Sequence, residues 1–201
     1  MSIWGSLIGG MIGFSLGGPF GMLLGSLLGG KISRSRTAAG FSAVAQGQRM
    51  FALSLIVLSA KLSKVDGQVS KEELIAVKDK LKIPEHELDE VGKIFNKAKE
   101  ESAGYEPYAQ QIAQFYSGNI NVLEEVINVL FYIAESDGQV SSSELRMIEN
   151  ISKIFGLTEK QFLSIKESRK GSDKLNPYVV LESKPDDDLK LIRKKYLDLS
   201  K

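Results

Sequence analysis

The chain has 201 residues, 43% apolar and 25% charged, which is enough for one ordinary core of roughly 100–150 residues with additional segments. The absence of cysteine excludes disulfides, thiolate nucleophiles and cysteine-ligated metal sites, and the single histidine, His86, excludes the common histidine-based metal and general-base sites. The net charge of +1 is unevenly distributed, because residues 1–65 contain six basic residues and no acidic one. This asymmetry predicts an N-terminal part suited to a membrane or nucleic acid, followed by a mildly acidic domain.

An uncharged segment of 28 residues runs from Ile3 to Gly30. As a straight helix it would extend about 42 Å, more than the ~30 Å hydrocarbon core of a bilayer. Two antiparallel spans would need about twice 17 residues and a turn, so a hairpin at Gly17-Gly18-Pro19 is too short unless it is re-entrant. The segment therefore predicts one transmembrane helix.

Basic residues flank this segment only on its C-terminal side, at Lys31, Arg34 and Arg36. A secretory signal peptide would instead begin with a basic region and end at a small-x-small cleavage site. By the positive-inside rule, the N-terminus faces outward and residues 31–201 lie in the cytoplasm, with Trp4 at the outer interface.

Seven glycines recur in this segment at a constant spacing of four residues. This glycine row consists of Gly5, Gly9, Gly13, Gly17, Gly21, Gly25 and Gly29. Because four residues advance about 400° around a helix, the row forms a slowly winding groove that another backbone can approach closely. Small residues at this spacing mediate helix association in lipid, so the row predicts self-association through the span. The alternative is that the glycines are merely tolerated or form a kink with Pro19.

An internal repeat follows a largely apolar helix expected at about residues 37–63. Residues 66–74 and 137–145 match at seven of nine positions with an offset of 71, and each copy lies between two apolar helical segments. Further helices are expected to begin near Pro84 and Thr158, and a short helix at about 107–116 links the two halves. The pattern predicts an all-α, pseudo-duplicated bundle.

The repeated motif has two interpretations. In the first, Asp-Gly forms a turn, Ser70 or Ser141 caps the next helix, and Glu73 or Glu144 completes a capping box. In the second, Asp66 and Asp137 meet across the pseudo-two-fold axis with Glu73 and Glu144 behind them and bind a divalent cation. An ordinary EF-hand is excluded, because its first ligand position would fall on Leu62 or Ile133.

The duplicated Asp-Gly-x-Val-Ser-x-x-Glu unit resembles the TerB-like (tellurite-resistance) domain over about residues 45–170. The resemblance implies an all-helical fold. It also implies a possible divalent-cation site at Asp66, Glu73, Asp137 and Glu144, with no other cofactor expected.

The C-terminal residues 171–201 are similar to the opening of a DnaJ-type J domain, comprising helix I and the start of helix II. The expected J-domain core residues are Tyr178, Leu181, Leu189, Ile192, Tyr196 and Leu199. Arg193, Lys194 and Lys195 on the same basic helix could contact an acidic partner. The His-Pro-Asp signature on which Hsp70 stimulation depends is absent from this sequence, so no J-domain activity is expected of it. The alternative is a basic amphipathic tail helix.

The order of an anchor (residues 1–36), a TerB-like domain (37–170) and a partial J domain resembles the DjlA-type membrane-anchored co-chaperones of bacteria. This resemblance implies a dimeric, single-pass inner-membrane protein that links an Hsp70 system or another docking partner to the cytoplasmic face. The alternative function is a divalent-metal-binding stress-response protein. No catalytic set of residues can be assembled around one histidine, so an enzyme is not expected. Nucleic-acid binding is not expected either, because the basic cluster adjoins the span and few aromatic residues accompany it.

Overall fold

The computed structural model describes residues 17–27, 43–65, 71–136, 138 and 140–172. Within these ranges the chain forms eight α-helices and one 3₁₀ turn, and no strand, which confirms the all-α prediction. The helices are α1 (Gly18–Leu27), α2 (Ala43–Val65), α3 (Lys71–Leu81), α4 (Leu88–Glu100), α5 (Glu106–Phe115), α6 (Ile120–Ala134), α7 (Ser142–Ile154) and α8 (Glu159–Ser172), with the 3₁₀ turn at Glu85–Glu87.

Helix α1 contradicts the prediction of one unbroken helix from Ile3 to Gly30. Gly17 and Gly18 both have positive φ, at +52° and +60°, and α1 begins at Gly18 with Pro19 in its first turn. Glycine adopts this left-handed conformation at little cost because it has no Cβ. Proline then suits the first turn, where its missing N–H needs no partner within the helix. The glycine row is therefore interrupted at Gly17 and does not line one continuous helix.

Helix α2 is the central element of the bundle. Every side chain from residue 52 to residue 63 is buried, and α2 contacts α3, α4, α5, α6 and α7. A helix that is apolar on all sides is stable in water only when other helices surround it. Helix α2, Ala43–Val65, corresponds to the apolar helix predicted at about residues 37–63.

The predicted duplication is present in the order of the helices. Helices α3 and α7 begin 71 residues apart, at Lys71 and Ser142, and each follows a buried helix, α2 or α6. The short linking helix predicted at about 107–116 is α5, and its end is joined to α2 by a hydrogen bond from the Tyr116 hydroxyl to the Gly47 carbonyl, at 2.6 Å.

The chain divides into two compact units, one ending at Leu157 and one beginning at Thr158. The second unit opens with a cap of its own. The Thr158 hydroxyl accepts a hydrogen bond from the backbone N–H of Gln161 at 3.3 Å, and the side-chain oxygen of Gln161 accepts one from the backbone N–H of Thr158 at 3.0 Å. This reciprocal pairing satisfies two of the N–H groups that a helix start leaves free. It explains why the further helix that was expected to begin near Thr158 starts at Glu159.

None of the helices in the described part of the chain is both long enough and apolar enough to cross a bilayer.

Candidate functional site

The second copy of the repeated motif forms the predicted capping box. The Ser141 hydroxyl accepts a hydrogen bond from the Glu144 amide at 3.2 Å, and the Glu144 carboxylate accepts one from the Ser141 amide at 2.8 Å. Glu144 is only 2% exposed, so its carboxylate is held inside the first turn of α7. The capping interpretation is confirmed for this copy.

The cation interpretation involves residues of which the structure describes little. Asp66, Ser70 and Asp137 lie outside the described residues, and Glu73 lies in α3 with a side chain that is not described. In the part of the chain that the structure does describe, no group of three or more His, Cys, Asp or Glu side chains is placed to hold a metal. Glu144 is engaged in its cap. The cation interpretation therefore stays a prediction.

Helix α1 packs on a surface formed by α4 and α5, which we call the docking face. Phe20, Leu23 and Leu24 are buried, with Phe20 at 0% exposure. The Phe20 ring meets the Tyr108 ring edge-on, with centroids 5.0 Å apart and an interplanar angle of 74°. Burying each of these side chains contributes about 1.5–3 kcal/mol. Part of the segment expected in the membrane is thus packed against the helical bundle.

Gln111 on α5 holds the start of α1 through both ends of its side-chain amide. Its oxygen accepts a hydrogen bond from the Phe20 amide at 3.1 Å, and its nitrogen donates one to the Gly17 carbonyl, also at 3.1 Å. The first N–H groups of a helix have no partner within the helix. Gln111 therefore acts as a cap for the start of α1 that is supplied by a different helix.

A buried lysine lies directly behind the docking face. Lys61 of α2 is 3% exposed and donates hydrogen bonds to the carbonyls of Glu101 and Ala103, at 3.2 and 2.5 Å. Its ammonium group also lies 5.4 Å from the centre of the Tyr108 ring, and the Tyr108 hydroxyl donates to the Glu101 carboxylate. Since Glu101 directly follows α4, Lys61 supplies the donors that the end of α4 lacks.

Burial shifts the pKa values of this cluster. Desolvation lowers the pKa of Lys61, the Glu101 carboxylate partly offsets that effect, and the nearby Lys64 adds to it. Desolvation, followed by the hydrogen bond to Glu101, raises the pKa of Tyr108 far above its ordinary value. Tyr108 therefore remains a neutral donor at physiological pH, and the cluster is a structural network with no reactive group exposed to solvent.

A groove of about 470 Å³ lies on another side of the bundle, between α2, α3 and α6. Phe51, Leu55 and Val129 give it an apolar lining. At its rim the Lys80 ammonium lies 3.8 Å from the Glu125 carboxylate and 5.5 Å from the centre of the Tyr132 ring. An apolar centre with a polar rim is a common arrangement of surfaces that contact another polypeptide.

The remaining predicted site residues are distributed as follows. In the glycine row, Gly17 precedes α1 and Gly21 and Gly25 lie in it, whereas Gly5, Gly9, Gly13 and Gly29 fall outside the described residues. The predicted J-domain core and basic residues also fall outside them: Tyr178, Leu181, Leu189, Ile192, Arg193, Lys194, Lys195, Tyr196 and Leu199. His86 is exposed.

Sequence reasoning missed Lys61, Tyr108 and Gln111. Lys61 and Arg49 are two of the six basic residues from which an N-terminal part suited to a membrane or nucleic acid is predicted. For these two the prediction is wrong, because both are buried in the bundle. A lysine inside an otherwise apolar run was the available signal, since such a side chain is buried only when it has partners. No comparable signal distinguished Gln111 from its neighbours on α5.

Two family models match the chain. The model described as "Tellurite resistance protein TerB" matches residues 52–167, more than half of the chain, and the model described as "Co-chaperone DjlA transmembrane domain" matches residues 1–39. Searches of curated proteins and of solved structures gave no match. The two matches, in this order, are consistent with a DjlA-type protein with an N-terminal membrane anchor. Neither match extends past residue 167, so the J-domain resemblance stays a prediction.

Proposed function

Because this chain belongs to the tellurite resistance protein TerB family and its first 39 residues match the DjlA transmembrane domain, we propose that it is a membrane-anchored interaction protein. In this proposal the N-terminal segment holds the helical bundle at the cytoplasmic face of a bacterial inner membrane. The bundle then presents its surface to a partner, as a co-chaperone of the DjlA type would.

The order of the two family matches is the observation that carries the proposal. An anchor that precedes a TerB bundle is consistent with the DjlA arrangement. The uncharged run from Ile3 to Gly30 and the basic residues that follow it support the same orientation, with the bundle in the cytoplasm.

A binding role agrees better than a catalytic one with what the chain offers. The sequence has one histidine and no cysteine, and that histidine is exposed and distant in sequence from the buried cluster around Lys61. The groove between α2, α3 and α6, with Lys80 and Tyr132 exposed at its rim, provides a surface for a partner. Binding surfaces of this kind combine an apolar centre with a polar rim.

The partner we propose is an Hsp70-type chaperone or a protein delivered to it, on the strength of the J-domain resemblance in residues 171–201. The basic residues Arg193, Lys194 and Lys195 would give an electrostatic contact with such a partner.

The topology of the anchor can be tested with single cysteines, because the natural chain has none. We expect a membrane-impermeant maleimide to label Ser2→Cys in spheroplasts and to leave Ser164→Cys, an exposed position on α8, unlabelled until the membrane is permeabilised. The two variants serve as controls for each other. Labelling of Ser164→Cys in intact spheroplasts would contradict the proposed orientation. So would a folded protein in which neither cysteine is labelled after the membrane is permeabilised.

A further inference from the structure

The packing of α1 on the bundle and a membrane span cannot coexist in one molecule. A span needs about 20 apolar residues, and at least about 17. If Gly18–Leu27 is docked, the uncharged residues that precede the break are residues 3–16, which as a helix would reach only about 21 Å, less than the ~30 Å hydrocarbon core. Docking of α1 therefore removes residues without which the bilayer cannot be crossed.

The two locations offer α1 similar apolar environments. The helix carries no charged residue, and Phe20, Leu23 and Leu24 leave water whether they enter the bundle or lipid. The difference between the two states then comes from specific contacts. The docking face supplies the Tyr108 ring and both hydrogen bonds of Gln111, and no such partners exist in a lipid interior.

The glycine pair at residues 17 and 18 provides the hinge between the two states. In the docked state both residues have positive φ, and Gln111 satisfies the backbone groups exposed at the break. In a span the same residues have to join the right-handed helix, because an open break would leave backbone groups unpaired in lipid. Glycine is the residue that adopts both conformations without a steric penalty.

We propose that α1 exchanges between the docking face on α4 and α5 and the lipid bilayer, so that the bundle competes with the membrane for the second half of its own anchor. This inference rests on the proposed membrane anchorage. In the docked state Phe20, Leu23 and Leu24 are shielded from water, and leaving the docking face both permits insertion and uncovers the Tyr108 and Gln111 surface.

Docking is tested first on the full chain synthesised without lipid or detergent. Met22 is 68% exposed on docked α1 and Leu23 is fully buried. We expect a water-soluble maleimide to modify Met22→Cys at least about tenfold faster than Leu23→Cys, since buried thiols react through transient opening only. Equal rates would overturn docking, whatever the chain does with lipid.

Exchange is tested by adding vesicles of phosphatidylethanolamine and phosphatidylglycerol at a ratio of about 3:1. Insertion protects Met22→Cys from the maleimide. We expect Gln111→Ala to raise the ratio of inserted to docked protein by about fivefold, as expected for the loss of hydrogen bonds from the docked state alone. Gln110→Ala, at an exposed position on the same helix, is the matched control and should leave the ratio unchanged.

A second pair of variants acts on the hinge without touching the docking face. A Cβ at Gly17 or at Gly25 meets no atom within 4 Å, but only Gly17 has a positive φ. Gly17→Ala should therefore favour the inserted state by about tenfold, through the left-handed conformation that alanine disfavours, and Gly25→Ala should not. If neither Gln111→Ala nor Gly17→Ala differs from its control while vesicles protect Met22→Cys, exchange is overturned and anchorage stands. If vesicles protect Met22→Cys in no variant, both exchange and the proposed anchorage fail.

Discussion

At the start of α7, the Glu144 carboxylate accepts a hydrogen bond from the Ser141 amide, an N–H group for which the helix itself offers no partner. The Ser141 hydroxyl does the same for the Glu144 amide. A carboxylate in the first turn also interacts favourably with the helix dipole. These contacts explain why serine and glutamate recur three residues apart, and they require no bound cation.

Ser141→Ala should lower the free energy of unfolding by about 1 kcal/mol, the usual effect of removing a capping side chain. The matched control is Ser142→Ala, the exposed neighbour that makes no cap, for which we expect a change within about 0.5 kcal/mol. Urea unfolding followed by circular dichroism measures both. The capping account also predicts that excess chelator changes neither result. A loss of stability on chelation, abolished by Asp66→Ala with Asp137→Ala, would favour the cation interpretation instead.

Helices α3 and α7 end in the same hydrogen-bonded motif with different residues. The Ile83 and Leu157 amides each donate to the carbonyl five residues earlier, at 3.1 and 3.0 Å, and both side chains are buried. The preceding residue in each copy is left-handed: Lys82, with φ of +49°, and Gly156, with φ of +77°. Glycine is the usual residue here, because a side chain in this conformation is strained.

Lys82→Gly should therefore raise the free energy of unfolding by about 0.5–1 kcal/mol. This net gain is the relief of left-handed strain minus the cost of the extra conformational entropy that glycine gives the unfolded chain. Lys82→Ala is the matched control, because it removes the lysine side chain but keeps the strain, and we expect no gain from it. Thermal and urea unfolding would show the difference. Equal stabilities for the two variants would mean that Lys82 is not strained in the folded protein.

The glycine row concerns the membrane segment. Inside a bilayer, helices associate through close approach of their backbones and not through the hydrophobic effect. The structure divides the row at Gly17, so any groove used for self-association has to be formed by the inserted segment. The glycine row would therefore act when the segment is inserted in the membrane, whereas the docking face holds α1 when it is packed on the bundle.

Gly13→Leu should weaken self-association of the full chain in detergent by on the order of tenfold, because leucine fills the groove that the row forms. Gly10→Leu makes the same substitution at a glycine outside the row and is the matched control. Analytical ultracentrifugation in detergent distinguishes the two variants. Loss of the oligomer in both, or in neither, would show that the four-residue spacing is not what associates the chains.

For the whole molecule, sequence periodicity predicted the helical class, the duplication and the cap at Ser141 because these depend on local spacing and local hydrogen bonds. It did not predict which helices contact one another. The docking of α1 depends on a ring contact between residues 88 positions apart and on Gln111, whose partners are 91 and 94 residues away. The uncharged run from Ile3 to Gly30 carried a strong membrane signal, and that signal cannot show that α1 also fits a protein surface.

In the proposed function, the N-terminal segment fixes this TerB bundle to a membrane. Alkaline carbonate extraction of membranes from cells that make the full chain tests it most directly, with a chain lacking residues 1–36 as the control. The account predicts that the greater part of the full chain sediments with the membranes after extraction and that the control stays in the supernatant. Recovery of the full chain in the carbonate supernatant, without detergent, would contradict the account.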